Sequence, residues 1–241
     1  MKKNIMISVI SPVFNEDESL RPLIESLHEL IGENLKEVII VYHPNSNKDC
    51  KNTLMFLSNA YPKLMTIPQD LKEPGNGSAY RQGFNLVKGT YVLMTDSDGE
   101  MDVNAIPKMI NKIVETDADV VIGSRYLEGG GIRGSYPLIK RTLNIIFQRI
   151  FRFLFWTKIS DLTYGFKLFK VDILNDLHLE ARYQNIGAET TLKPIKLGLK
   201  VEQVPVIHRF RESGIGNSLS LIGNLKYPLI ALKILFWKKH A

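Results

Sequence analysis

Tyr91-Val92-Leu93-Met94-Thr95-Asp96-Ser97-Asp98-Gly99-Glu100 is the stretch from which the fold is read. An apolar run of strand character stops at two carboxylates on alternate residues, with a third acidic side chain two positions on. Alternate side chains of an extended segment share a face, and Gly99 permits a backbone turn just past the strand end, so Asp96, Asp98 and Glu100 are expected to converge. Carboxylate oxygens suit the hard ions Mg²⁺ and Mn²⁺, and two or three of them leave coordination positions for a substrate diphosphate. An isolated Asp-Ser-Asp-Gly is also the composition of an ordinary polar turn, so the neighbouring segments decide between the two.

Upstream of this strand, Ile5 to Ile10 is a β-branched apolar run ending at Ser11-Pro12, and Asp17 to Gly32 carries Leu20, Leu23, Ile24, Leu27, Leu30 and Ile31 at helical spacing. Val38 to Tyr42 reads as the next strand, Lys51 to Tyr61 as a helix and Leu64 to Ile67 as a short strand. The loop Glu73-Pro74-Gly75-Asn76-Gly77 follows, with Ser78 placed to cap a helix running to Val87. Downstream, Val103 to Glu115 is helical by its apolar positions and Val120 to Gly123 is a further strand. Strands separated by helices of this length predict right-handed β-α-β crossovers and a largely parallel sheet, with ligands at the carboxyl ends of the strands. Both Pro12 to Glu16 and Asp96 to Asp98 fall at such ends.

The 241 residues are 44% hydrophobic and 23% charged, enough to bury a large core in one α/β domain with a tail. A single cysteine, Cys50, excludes an intramolecular disulfide and a cysteine-rich metal site, and the five histidines show no ligand spacing. The first residues read neither as a signal peptide nor as a spanning helix. A net charge of +6, from 31 Lys and Arg against 25 Asp and Glu, points to an anionic partner. No interleaving of aromatic and basic residues accompanies it, so nucleic acid is not expected.

Ser11-Pro12-Val13-Phe14-Asn15-Glu16, Gly75-Asn76-Gly77-Ser78-Ala79, Asp96-Ser97-Asp98, Gly123-Ser124-Arg125-Tyr126, Asp161-Leu162-Thr163-Tyr164-Gly165-Phe166-Lys167 and Val204-Pro205-Val206 fall in the order found in family 2 glycosyltransferases. Across roughly residues 5 to 216 the chain resembles the branch of polyprenyl-phosphate sugar transferases. The resemblance implies a single GT-A (Rossmann-like) α/β domain over 1–218, with a mostly parallel central sheet and added amphipathic helices, followed by an apolar and basic helical tail over 219–241. It implies a nucleoside diphosphate sugar donor lying against Pro12, Phe14, Asn15, Glu16, Tyr42, Gly77, Asp96, Ser97 and Asp98. It makes Asp98 the principal ligand of Mg²⁺ or Mn²⁺, with Asp96 beside it and Glu100 where relatives often carry a Gln. Arg125, Lys140, Arg141, Asn144 and Arg211 are expected at the acceptor phosphate. Glu189 matches a carboxylate of the family's acceptor-side helix and is the candidate general base for a hydroxyl acceptor.

Two departures stand out. Relatives commonly place an Asp pair after the second strand to contact the base, where this chain has Val41-Tyr42-His43-Pro44-Asn45-Ser46, and Asp102-Val103-Asn104 replaces a Pro-rich turn. Base recognition is then expected from Asn45, Ser46, the backbone or stacking on Tyr42. The segment from Arg209 to Ser218 matches the family pattern only loosely at Arg211.

The implied reaction is a single displacement with inversion, in which a divalent ion at Asp98 and Asp96 neutralises the departing diphosphate, with Arg125 adding to it. A phosphate acceptor is already anionic and needs no strong base, whereas a sugar hydroxyl does. From Arg141 to Trp156 the polar residues Asn144, Gln148 and Arg152 recur on one helical stripe beside a wide apolar face, and Leu225 to Trp237 is an apolar tail with interspersed lysines. Both are expected to lie on an anionic membrane surface, peripherally on its cytoplasmic side, or to pack on each other or across a homodimer. The glycine-rich loop from Glu128 to Gly134 is expected to gate the acceptor. The competing classes are transfer to a sugar hydroxyl, a non-catalytic sugar-nucleotide-binding protein, and a nucleotidyltransferase, the last lacking its usual Gly-rich loop after the first strand.

Overall fold

The computed structural model of the protein describes residues 5–134, 138–210 and 221–238. Apolar side chains at alternate positions build its centre. In β1 (Ile7–Val13), Ile7 and Val9 face one layer of helices while Ile10 faces the other, and β2 (Leu35–Tyr42) and β4 (Tyr91–Met94) alternate in the same way. Strands buried on both faces are expected of a parallel sheet covered by crossover helices. Each fully buried Ile or Leu contributes about 1.5–3 kcal/mol, an upper estimate against a partly collapsed unfolded chain.

The sheet is completed by β3 (Leu64–Pro68), β5 (Val120–Ser124), β7 (Lys167–Lys170) and β8 (Val201–Pro205), in the order β3-β2-β1-β4-β7-β5-β8. All pairs are parallel except those of β7, which runs antiparallel between β4 and β5. One layer holds α1 (Leu20–Ile31), α2 (Lys48–Ala60) and α4 (Ile106–Thr116). The other holds α3 (Asn76–Phe84), α5 (Leu138–Leu154), the single turn α6 (Leu174–Leu177), α7 (Ile186–Lys196) and α8 (Leu221–Phe236). The expected mostly parallel α/β architecture is present.

Several local expectations are corrected. Ser78 does not cap α3: the helix starts at Asn76 after Gly75, and Ser78 lies buried in its first turn. The glycine-rich loop is not a free gate. Its residues Gly131–Arg133 form β6, paired in parallel with β9 (Ile207–Arg209), and Phe210 N–H donates to the Arg133 carbonyl at 2.9 Å. Gln148 of the polar stripe of α5 faces inward. Gln148 is buried beside Phe147 and Phe151, while Leu138, Ile139, Leu143, Ile146, Ile150 and Phe153 are exposed.

Candidate active site

The parallel strands bring the carboxyl ends of β1, β2, β4 and β5 to one edge, and the candidate residues gather there. Thr95 N–H donates to the Ile10 carbonyl at 3.1 Å, extending the β1–β4 pairing into the acidic turn. Ser97 Oγ then donates to the Pro12 carbonyl at 2.7 Å, and Ser19 Oγ donates to the Ser97 carbonyl at 2.5 Å. Ser97 is 2% exposed. Its hydroxyl and the Pro12 carbonyl thus fasten the turn to β1, which corrects the expectation that Ser97 faces the donor. Gly99 has φ +77°, the left-handed turn for which a glycine is suited.

Asp96 and Asp98 are half-buried at this turn. Asp96 Oδ1 accepts from the Tyr80 hydroxyl at 2.7 Å, and Asp98 Oδ1 accepts from Glu100 N–H at 3.0 Å. Burial, and next the neighbouring charge of Asp98, push the Asp96 carboxyl up to about 7. Two carboxylates held this close favour a cation between them, and their oxygens are the donor set of a hard divalent ion. Glu100 does not join them as a third ligand. Its Oε2 lies 3.4 Å from His208 Nε2, and among the described residues no three Asp, Glu, His or Cys side chains are gathered to hold a metal.

His208 was invisible to the sequence, because its partners lie far away in the chain. Its Nδ1 is 3.3 Å from the Tyr164 hydroxyl, and burial first, then the positive charge of Arg125, push its imidazole down to about 4. His208 is therefore neutral at pH 7. Tyr164 in turn lies under the Arg125 guanidinium, 4.5 Å from its ring centre. Burial raises the Tyr164 phenol well above its ordinary value; the positive charge of Arg125 works against that rise, and the negative charges of Asp96, Asp161 and Asp98 add to it. One phenol therefore feels both the acid pair of β4 and the arginine at the end of β5.

Arg125 is gripped by Asp161 through Nε to Oδ2 at 2.7 Å and a terminal nitrogen to Oδ1 at 3.0 Å, with the same nitrogen donating to Thr163 Oγ1 at 3.1 Å. Burial alone would raise the Asp161 carboxyl, but Arg125 holds it below the usual carboxylate range. Gln148 joins the network, donating to Asn144 Oδ1 at 3.1 Å and to Thr163 Oγ1 at 3.3 Å while accepting from Leu162 N–H at 2.8 Å. Gln148, steadied by Asn144 one turn earlier, thus docks α5 on the segment carrying Asp161, which is why this side of the stripe turns inward. Arg141 is exposed in the first turns of α5. Arg211 and the side chain of Lys140 lie outside the described residues.

On the donor side, Phe14 is 46% exposed and meets His43 edge-on, with ring centres 5.1 Å apart. His43 lies in the segment after β2 that, in this chain, carries no Asp pair. Tyr42 packs half-buried against the core instead of standing out to stack. Asn15 Oδ1 accepts from Asn47 N–H at 2.8 Å, and Glu16 Oε2 closes back on the N–H groups of Phe14 and Asn15 at 2.6 and 3.1 Å. Both side chains shape the loop after β1.

Two further expectations are corrected by packing. A Cβ on Gly77 would meet the Ala181 carbonyl at 2.5 Å, and Ser78 N–H donates to the Arg182 carbonyl at 3.2 Å. The room beside Gly77 is therefore filled by 181–183, not reserved for a donor. Glu189 is fully buried. Its carboxylate accepts from the N–H groups of Glu180 at 3.0 Å and Ala181 at 2.8 Å, and pairs with Lys193 Nζ at 2.7 Å. A carboxylate so surrounded and closed to solvent has no path to an acceptor hydroxyl, so its position is that of a structural anchor rather than a general base.

A sheet of this order, with the acid pair at the end of its central strand, is a GT-A-like α/β architecture. The model of "Glycosyl transferase family 2" matches residues 8–177, and the chain belongs to that family. Over 214 residues it is 28% identical to the polyprenol monophosphomannose synthase of Mycolicibacterium smegmatis, covering 86% of this chain and 78% of that protein. It is 26% identical over 214 residues to the undecaprenyl-phosphate mannosyltransferase of Micrococcus luteus, covering 86% and 85%. The fold is similar to a crystal structure of glucosyl-3-phosphoglycerate synthase from Mycobacterium tuberculosis in complex with UDP, with a TM-score of 0.72 at 18% identity over 95% of this chain and 80% of that one. A structure of the same synthase with Mn²⁺, UDP and phosphoglyceric acid gives 0.70 at 17% identity, covering 97% and 79%. The chain is a glycosyltransferase.

Proposed function

We propose that this glycosyltransferase moves a hexose from a nucleoside diphosphate sugar to a polyprenyl phosphate at a membrane surface, with inversion and with Mg²⁺ or Mn²⁺ bound by Asp98 and Asp96. The observation that carries the reading is that the acid pair after β4 and Arg125 after β5, held by Asp161 and lying over Tyr164, stand at the same edge of the sheet. A donor diphosphate at the acids and an acceptor phosphate at the arginine then lie on one side of the sheet's end. The metal, when bound, supplies positive charge to the departing diphosphate. Asp96 and Asp98 would hold the metal, with Tyr80 donating to the Asp96 carboxylate and Gly99 turning the chain just after Asp98. Arg125, kept rigid by Asp161 and Thr163, presents its remaining edge to an acceptor oxyanion, and Arg141 adds charge at the start of α5. An acceptor phosphate oxygen attacks the anomeric carbon as the carbon–oxygen bond to the diphosphate breaks, and the nucleoside diphosphate leaves. The attacking oxygen carries no proton, which is consistent with the enclosure of Glu189. The exposed Phe14–His43 pair is suited to the donor base.

The likeness to lipid-phosphate mannosyltransferases along 86% of the chain supports the acceptor class. No helix of the described residues is long and apolar enough to cross a membrane. We take residues 1–218 as the transferase domain and 219–241 as a helical tail that holds the enzyme peripherally on the cytoplasmic face. Purified enzyme in detergent, given a panel of nucleoside diphosphate sugars, Mn²⁺ and polyprenyl phosphate, should form a lipid-linked sugar phosphate. Transfer only to free sugar hydroxyls would refute the acceptor assignment.

A further inference from the structure

α5 carries a second group of cations, away from the strand ends. Between Leu138 and Lys158 the sequence holds no Asp or Glu. Where the helix ends, Arg149, Arg152 and Lys158 surround a cleft of about 400 Å³ completed by Phe153, Trp156 and Thr157. Among the described residues no carboxylate pairs with these three cations. The Nε of Arg152 is buried and has no hydrogen-bond partner, a desolvated donor that an incoming anion would satisfy. Trp156 is 90% exposed, with φ +48°, a left-handed conformation uncommon for a bulky residue. Its ring stacks on Phe153 at 6.3 Å, so two aromatic side chains stand out beside the cations.

Leu143, Ile146, Ile150 and Phe153 recur at helical spacing, all exposed, and form an apolar stripe leading to that cleft. α8 packs beside α5 and exposes Leu229, Leu232 and Phe236. A soluble monomer seldom exposes so much contiguous apolar surface. An acid-free, cation-edged apolar face complements one surface in particular, the anionic headgroup layer of a bilayer, where an indole also prefers to sit.

We infer that the cleft of Arg149, Arg152 and Lys158 is a headgroup site for an anionic phospholipid of the membrane. The inference deepens the proposed membrane-surface reading and rests on it. The site is distinct from that of the acceptor: Arg141 and Arg152 are eleven residues apart, about 16 Å along the helix axis. A phospholipid held at one end of α5 fixes the helix flat on the surface, which keeps the Arg141 end at the depth where an acceptor phosphate lies.

The test uses the full chain and vesicles of phosphatidylcholine, alone or mixed with phosphatidylglycerol, at low salt. Arg149→Gln/Arg152→Gln/Lys158→Gln should weaken binding to the mixed vesicles by roughly a hundredfold, about fivefold for each cation removed. Lys36→Gln/Lys72→Gln/Lys108→Gln, which removes the same charge from exposed positions elsewhere, should leave most of the binding. With Trp237→Phe as background, Trp156 emission should shift to the blue on adding mixed vesicles and stay put with phosphatidylcholine alone. Transfer to detergent-dispersed polyprenyl phosphate should be the same in the cleft variant and its parent. Equal losses in the two triple variants, or a Trp156 emission unmoved while the chain is vesicle-bound, would overturn the site. So would a chain that ignores vesicles and sediments as a dimer dissociated by Phe153→Ser. Failure of the detergent transfer assay would instead strike the proposed function, leaving the vesicle result to be read by itself.

Discussion

Asp161→Asn tests how the arginine of the site is held. Asp161 is fully buried, and its carboxylate is the counter-charge of a guanidinium whose side chain is 10% exposed. Besides the two contacts from the Arg125 side chain, it accepts from Arg125 N–H at 3.2 Å and Thr163 N–H at 3.3 Å. The asparagine keeps the shape but leaves Arg125 charged and unpaired away from water. Breaking a buried pair from one side costs about 3–5 kcal/mol, against 0–1 for an exposed pair. Denaturant unfolding of parent and variant at pH 7 should show a midpoint shift of that size with little change in slope. The pH dependence adds a second reading. A carboxyl whose folded pKa lies below its unfolded value stabilises the fold above the unfolded value, and that contribution is lost as the pH falls through the folded value. The Asp161 carboxyl is lowered, so the gap between parent and variant should be constant near neutrality and narrow below about pH 4, the unfolded Asp range. A loss under about 1 kcal/mol, or a gap that does not change with acid, would refute the account of Arg125 as a buried, carboxylate-held cation.

Glu189→Gln should lower thermal stability by on the order of 10 °C, because Lys193 is left buried without its charge partner, while the folded fraction keeps its turnover on a phosphate acceptor; lost turnover with unchanged melting would return Glu189 to the role of base. Gly77→Ala places a methyl 2.5 Å from the backbone oxygen of Ala181 and should destabilise by about 1–3 kcal/mol in chemical denaturation, with no change expected if 181–183 were free to move away. Lys167 is fully buried and donates to the Gly187 carbonyl at 2.5 Å and Thr190 Oγ1 at 2.9 Å, and burial pushes its ammonium down to about 7. The unfolded chain then binds more protons than the folded one between about pH 7 and pH 10, so stability should rise with pH across that window, and Lys167→Met should flatten the rise.

Much of the fold was legible because burial on both faces of a parallel sheet leaves a strong mark: apolar runs at β1, β2, β4 and β5, with periodic helices between them. The acid pair was legible for a related reason, since two carboxylates set directly after an apolar strand repel each other unless a cation lies between them. What pattern reading lacked was partners. β7 enters antiparallel between β4 and β5 from more than forty residues beyond β5, a pairing that no local spacing announces. Glu100 was assigned to the metal because His208, which faces it, lies over a hundred residues away. Gly75 and Gly77 suggested an open loop, whereas their missing side chains make room for 181–183. Asn144, Gln148 and Arg152 form one polar stripe beside a wide apolar face, and local spacing does not say what that stripe meets. Its Gln148 completes the hydrogen bonds of a buried segment, and the apolar side of the helix is left outside.

The central claim is that a nucleoside diphosphate binds through a divalent ion at Asp98 and Asp96, and calorimetric titration of the diphosphate with Mn²⁺ tests it most directly. The account predicts tight binding by the parent chain, loss of most of that affinity with chelator present, and an equal loss in Asp98→Asn with Mn²⁺ retained. Binding that is unchanged by chelator, or that survives Asp98→Asn at the parent's affinity, would contradict it.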